Sequence, residues 1–156
     1  MNHARRAVPE DAEELVRLRQ IMFDSLRRPD TGTGWQPAAV EVLRTRLAEP
    51  DATLAAFVVD RPGRPGELAA CATGTVEYRL GGPGNPTGVS GHVFNVATDP
   101  DMRRRGHSRA CLEALLGWYR ARGVRKIDLH ASREGEPLYA SLGFVRTADP
   151  SMRLTF

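Results

Sequence analysis

The feature with the longest reach is one uninterrupted stretch, NVATDPDMRRRGHSRACLEALLGWY, residues 95–119. An apolar run from Gly91 to Thr98 reads as a strand, and Pro100 ends it. Three arginines then lead into Gly106. From about Ser108 to Arg122, Cys111, Leu115 and Trp118 recur on one helical face, with Arg109, Glu113, Gly117 and Arg120 on the other. Gly123 closes that helix. Strand, glycine turn and helix start together suit an anion, because the first helical amides lack intrahelical partners and the dipole adds partial positive charge. Neither GxxxxGK[ST] nor GxGxxG occurs, so the two common nucleotide fingerprints are excluded. The turn alone is equally compatible with arginines that are merely solvated. A nucleic-acid surface is a third reading, but no aromatic platform or zinc spacing accompanies it.

Composition narrows the field. The 156 residues carry 41% apolar and 26% charged side chains, which suits one globular domain over residues 1–156 with its own core. Net charge is only +3, and Lys126 is the sole lysine, so basicity is weak support for nucleic acid. Cys71 and Cys111 form no CxxC pair and read as buried thiols of a reducing compartment. The four histidines and two cysteines have no metal-ligand spacing, so no metal is expected. No apolar run reaches membrane length, and Met1 opens on polar sequence, so a cytoplasmic protein with no membrane partner is expected.

The rest of the chain supplies a sheet and helices to cover it. Ala4–Val8 reads as a strand. Asp11 and Glu14 have capping-box spacing at the head of a helix from Asp11 to Leu26, whose stripe is Leu15, Leu18 and Met22. A loop over 28–34 precedes a helix from Trp35 to Ala48, with Val40, Leu43 and Leu47 as its stripe. Leu54–Val59 and Leu68–Arg79 are strands, and Gly81–Gly88 is either a hairpin connection or a substrate-side lid. A strand over Lys126–Ala131, a short helix over Pro137–Leu142 and a terminal strand or pair of strands over Phe144–Phe156 complete the chain. The order β-α-α-β-β-β-α-β-α-β predicts an α/β protein with a mixed sheet and helices against it.

Two motifs now stand in order. NVATDPDMRRRGHSRACLEALL resembles the acetyl-CoA motif Arg/Gln-x-x-Gly-x-Gly/Ala of the GCN5-related N-acetyltransferase (GNAT) superfamily, with Arg103, Gly106 and Ser108 at the key positions. Ser108 replaces the usual Gly or Ala and is small enough to fit. PLYASLGF, residues 137–144, is similar to the second signature, a tyrosine in a short helix followed by Gly-Phe. The resemblance implies a mostly antiparallel twisted sheet flanked by helices. It also implies acetyl transfer from acetyl-CoA to an amine by direct attack on the thioester, and a possible homodimer.

The same resemblance assigns residues. Val96, Ala97 and Thr98 should line pantetheine, which pairs with the strand as an added strand would. Arg103, Arg104, Arg105, Gly106, His107, Ser108 and Arg109 should surround the pyrophosphate, and Ser132 stands where relatives often place a cofactor-contacting asparagine. Tyr139 fills the general-acid position, against the plain alternative of a core tyrosine. For the base, Glu77 is set against an exposed strand carboxylate, and Asn95, as the holder of a relay water, against a satisfied buried amide. His92 ranks third, and His130 is read as lying within a strand. The expected acceptor is a small-molecule amine. A protein or peptide amine, and a non-catalytic acyl-CoA sensor, are the alternatives. Nucleic acid is the least supported partner.

Overall fold

The computed structural model describes residues 3–26 and 32–156; the loop read over 28–34 lies at 28–31 outside the described residues. Five strands form one sheet in the order β1 (Arg5–Arg6), β2 (Leu54–Asp60), β3 (Leu68–Tyr78), β4 (Val89–Thr98) and β5 (Lys126–Leu129). All neighbours are antiparallel except β4 and β5, which run parallel. The parallel pair requires a crossover, and α3 (His107–Ala121) supplies it. The remaining helices are α1 (Ala12–Ser25), α2 (Gln36–Ala48) and α4 (Glu136–Ser141).

Each face of the sheet has its own core. On one side Cys111, Leu112, Leu115, Leu116 and Tyr119 of α3 pack on Val76, Val93 and their neighbours. On the other, Leu15 and Leu18 of α1 pack on Ala56, Val58, Cys71 and Ala97, with Leu43 and Leu47 of α2 at the margin. Continuous apolar runs in β2 and β3 follow from this double cover. The α3 stripe is rotated from the sequence reading. Tyr119 is fully buried, and Trp118 only partly, beside Arg6 and Arg122. Tyr119 fits because Gly74 and Gly91 leave room beneath it; a Cβ on Gly91 would lie 2.7 Å from the ring. Its hydroxyl reaches the Thr75 and His92 carbonyls at 3.0 and 3.1 Å, bridging β3 to β4.

Four local readings change. Asp11 does not cap toward Glu14. It accepts from Val8 N–H at 2.8 Å and binds Arg5, while Glu14 goes to Arg17 and to Leu68 N–H, so α1 starts from a 3-10 turn at Pro9–Asp11. Gly81–Gly88 is the hairpin connection between β3 and β4, closed by a Gly82–Asn85 bridge and by Asn85 donating to the Val89 carbonyl. β5 ends at Leu129, so His130 follows the strand. Residues 144–156 form no strand: a strand needs a paired edge, and this segment, bent at 148–149, has none.

Candidate active site

β4 carries a bulge. Cys71 faces Ala97 and Thr73 faces Phe94, so one extra residue of β4 sits opposite β3, and Asn95 takes the left-handed conformation at φ 54°. β5 pairs with β4 only from Ser90 to Val93. Past that point β5 no longer pairs with β4; Ala97 and Thr98 have a strand neighbour on the β3 side only, and Val96 lies in the bulge without a register partner. Bulge and fork open a cleft of about 570 Å³ along the unpaired side of β4. Ile21, Met22 and Ser25 of α1, with Leu26 just past it, line the cleft, as do Leu138 and Tyr139 of α4.

The cleft runs into the head of α3. Arg103 is extended, Arg104 is left-handed at φ 61°, and Gly106 is left-handed at φ 78° as the residue before the helix. Left-handed backbone at 104 and 106 makes a sharp turn of the kind that can form an anion nest. No side chain caps α3, and regular bonding begins with Ala110 N–H to the Gly106 carbonyl. The amides of 107–109 are thus the free helix-start donors. His107 is buried, and neither ring nitrogen has a partner. Burial, with Arg105 adding to it, pushes its pKa below the ordinary histidine value and keeps the ring neutral.

Most of the sequence-named residues line this one cleft: Val96, Ala97, Thr98, Arg103, Arg104, Gly106, His107, Ser108, Arg109 and Ser132, with Asn95 and Tyr139. Several have further engagements. Thr98 and Ser108 share a close hydroxyl contact, which ties the strand to the helix head. Arg109 donates to Ser141 Oγ at 2.7 Å and joins α3 to α4. Ser132 Oγ accepts from Gly135 N–H at 3.0 Å and shapes the turn into α4. Arg105 is exposed and lies outside the lining.

The three acid–base candidates are separated by the fold. Tyr139 is almost fully buried, edge-on to Phe144, and desolvation raises its phenol pKa. Asn95 points its amide beneath α1, donating toward the Leu15 carbonyl at 3.5 Å while its Oδ1 lacks a partner. Glu77 lies outside the cleft lining, near the end of β3, paired to Arg79 at 2.7 Å. His92 touches the cleft indirectly: its ring stacks on Phe94 and meets His130 edge-on, and both neighbours line the cavity. Leu26 at the end of α1, and Glu134 beyond β5, also line the cavity and went unread in the sequence. The α1 stripe through Met22 was the available signal for that wall.

The Acetyltransferase (GNAT) family matches residues 19–144. Over 99% of both chains, the fold superposes with a TM-score of 0.84 on a GCN5-related N-acetyltransferase from Ralstonia eutropha JMP134, at 27% identity. A predicted acetyltransferase from Clostridium acetobutylicum, solved with acetyl-CoA, superposes at 0.83 over 99% of this chain and 96% of that one, at 23% identity. A stretch of 55 residues is 44% identical to the [ribosomal protein bS18]-alanine N-acetyltransferase of Escherichia coli K12, covering 33% of this chain. The match spans 37% of that relative's length. The chain belongs to the GNAT family. Among the described residues, no helix is long and apolar enough to cross a membrane.

Proposed function

We propose that this chain, as one catalytic domain over residues 1–156, takes its acetyl group from acetyl-CoA and passes it to the primary amine of a small molecule. The observation that carries this is the continuous path from the stretch of β4 that β5 no longer pairs, at Val96–Thr98, to the free amides and arginines at the head of α3. The residues present fit the donor. Unpaired strand groups suit the amide-bearing pantetheine arm, and the Gly106 nest, with the orphaned His107 nitrogens, suits pyrophosphate. Acetyl-CoA supplies an activated thioester.

The protein's own part is positioning and proton handling. The amine must be neutral to attack, and its proton must leave through a base or a water. Glu77 and a water held by Asn95 remain in this proposal. His92 joins them, because its ring contacts two residues of the cleft wall. Formation of the C–N bond expels a thiolate, and Tyr139 would protonate it; its desolvated phenol keeps its proton at neutral pH. The apolar lining of Ile21, Met22 and Leu26 favours a compact acceptor over an open peptide track. A protein N-terminus is the second reading, favoured by the 55-residue likeness to the alanine N-acetyltransferase. The test is thiol release from acetyl-CoA across a panel of small amines and Ala-starting peptides, with Tyr139→Phe alongside. Turnover confined to peptides would replace the small-molecule reading, and none with any amine would point to an acyl-CoA sensor. A nucleic-acid role would show instead as steeply salt-dependent duplex binding.

A further inference from the structure

The charges around the cleft are lopsided. Among the described lining residues the arginines are Arg103, Arg104 and Arg109, and the one carboxylate is Glu134, in the turn before α4. Asp128, the register partner of His92 on β5, lies outside the lining. Away from the α3 head, α1 and its end contribute Ile21, Met22, Ser25 and Leu26, β4 contributes Phe94, and the chain past β5 contributes His130. An acceptor with several ammonium groups needs several carboxylates to offset them, and this lining opposes it.

A further cation stands at the Phe94 side of the cleft. The guanidinium of Arg19 lies 4.7 Å from the Phe23 ring centroid and 5.9 Å from that of Phe94. Trp35 meets Phe23 edge-on at 5.8 Å, and His92 stacks on Phe94 at 6.1 Å. These rings come from α1, from the residue before α2 and from β4, so separate parts of the chain converge on one arginine. Met22 lies one helical turn on from Arg19, which puts Arg19 on the same stripe of α1 as a lining residue. Ring packing holds a guanidinium by its face, and its several N–H donors can serve more than one acceptor at its edge. That planar fork matches a carboxylate. His130, edge-on to His92 and exposed, adds a ring N–H donor to the same lining.

We propose that the acceptor is an amine that itself carries a carboxylate on a compact apolar body, as an amino acid does, with Arg19 receiving the carboxylate. This rests on the reading of the chain as a small-molecule N-acetyltransferase and names the class of that molecule. The apolar body lies against Ile21, Met22 and Leu26, so neighbouring turns of α1 supply both contacts. Two anions are then kept apart: the diphosphate of the donor goes to the α3 head, and the carboxylate of the acceptor goes to α1.

The test is thiol release from acetyl-CoA with phenylalanine and leucine, the carboxamide of each, and phenethylamine and isopentylamine, which lack the carboxyl group. Spermidine serves as the polycation and an Ala-starting peptide as the protein-like acceptor. Wild type, Arg19→Gln and Arg19→Lys are compared, with acetyl-CoA affinity as the check that each variant folds; the wild-type ratios decide even where a variant fails that check. The expected kcat/KM for the amino acids exceeds that for their carboxamides and decarboxylated amines about 30-fold. In Arg19→Gln that ratio falls toward one, mainly through KM, and Arg19→Lys restores part of it. Equal or faster turnover of the carboxamides, the decarboxylated amines or spermidine overturns the proposal and leaves small-molecule transfer standing. So does a carboxylate preference that Arg19→Gln leaves intact. Turnover of the peptide alone, or of nothing, removes the small-molecule reading, and this assignment falls with it.

Discussion

Arg17 of α1 and Asp99 at the end of β4, 82 positions apart, form a two-pronged ion pair with N–O distances of 2.9 and 3.0 Å. The same arginine holds Glu14 and the Leu68 carbonyl, and Asp99 also accepts from Arg61 at 2.8 Å. Asp99 stands four residues before Arg103, and α1 continues into the lining of the cleft. The donor nest and the acceptor wall therefore hang from one carboxylate. Asp99→Asn keeps the shape and removes the charge. It should lower stability by about 2 kcal/mol, less than the loss from a fully buried pair because Arg17 keeps 38% exposure. Acetyl-CoA affinity should fall about fivefold, ~1 kcal/mol. Urea titration and calorimetry read the two effects; an unchanged affinity would uncouple the nest from this carboxylate.

Tyr119 predicts a second loss. Tyr119→Phe removes the hydroxyl shared by the Thr75 and His92 carbonyls and should cost ~1–2 kcal/mol. Gly91→Ala pushes a methyl into the same ring and should cost ~1–3 kcal/mol. Because both act on one contact, the double variant should fall short of the sum, which a urea-based double-mutant cycle measures. Strict additivity would mean the ring and the glycine act separately.

His107 sets a pH dependence for the ligand-free protein. Its folded pKa is depressed, so below about 6.5, the ordinary histidine value, the unfolded chain takes up a proton before the folded one does. Stability therefore falls as pH drops from 6.5 through the folded pKa, and this contribution is flat above about 7. His107→Leu, which fills the same buried space without titrating, should flatten that part of the curve. Thermal melts across pH 5–8 give the comparison, and identical slopes for the two chains would remove His107 from the account.

Tyr139→Phe should lower kcat ~100-fold while acetyl-CoA affinity stays within about twofold, since the hydroxyl acts on the leaving thiolate and the ring keeps its packing on Phe144. Steady-state rates under conditions where chemistry limits turnover decide it. Full turnover in the variant would return Tyr139 to a packing role.

Local signals carried much of this architecture. The Arg103–Ser108 turn, the Leu15–Leu18 stripe and the PLYASLGF segment are short-range patterns, and each corresponds to a single element or joint of the fold. What stayed unread depends on distance along the chain. Arg17, Arg61 and Asp99 look like ordinary surface charges until the fold brings them together. The bulge at Asn95 hides inside HVFNVAT, which alternates well enough to pass for a regular strand. Tyr119 and Trp118 are adjacent aromatics, and only the two glycines on other strands decide which is buried. Phe144–Phe156 has the composition of a strand, but composition does not supply an edge to pair with.

The most direct measurement is a calorimetric titration of the purified protein with acetyl-CoA, repeated on Gly106→Trp with its fold verified by circular dichroism. The indole would fill the nest between Arg104 and His107 and strain a residue held at φ 78°. The account predicts one site per chain in the wild type and none in the folded variant. Absence of binding to the wild-type chain, or equal binding by both, would contradict the assignment of the β4–α3 cleft as the donor site.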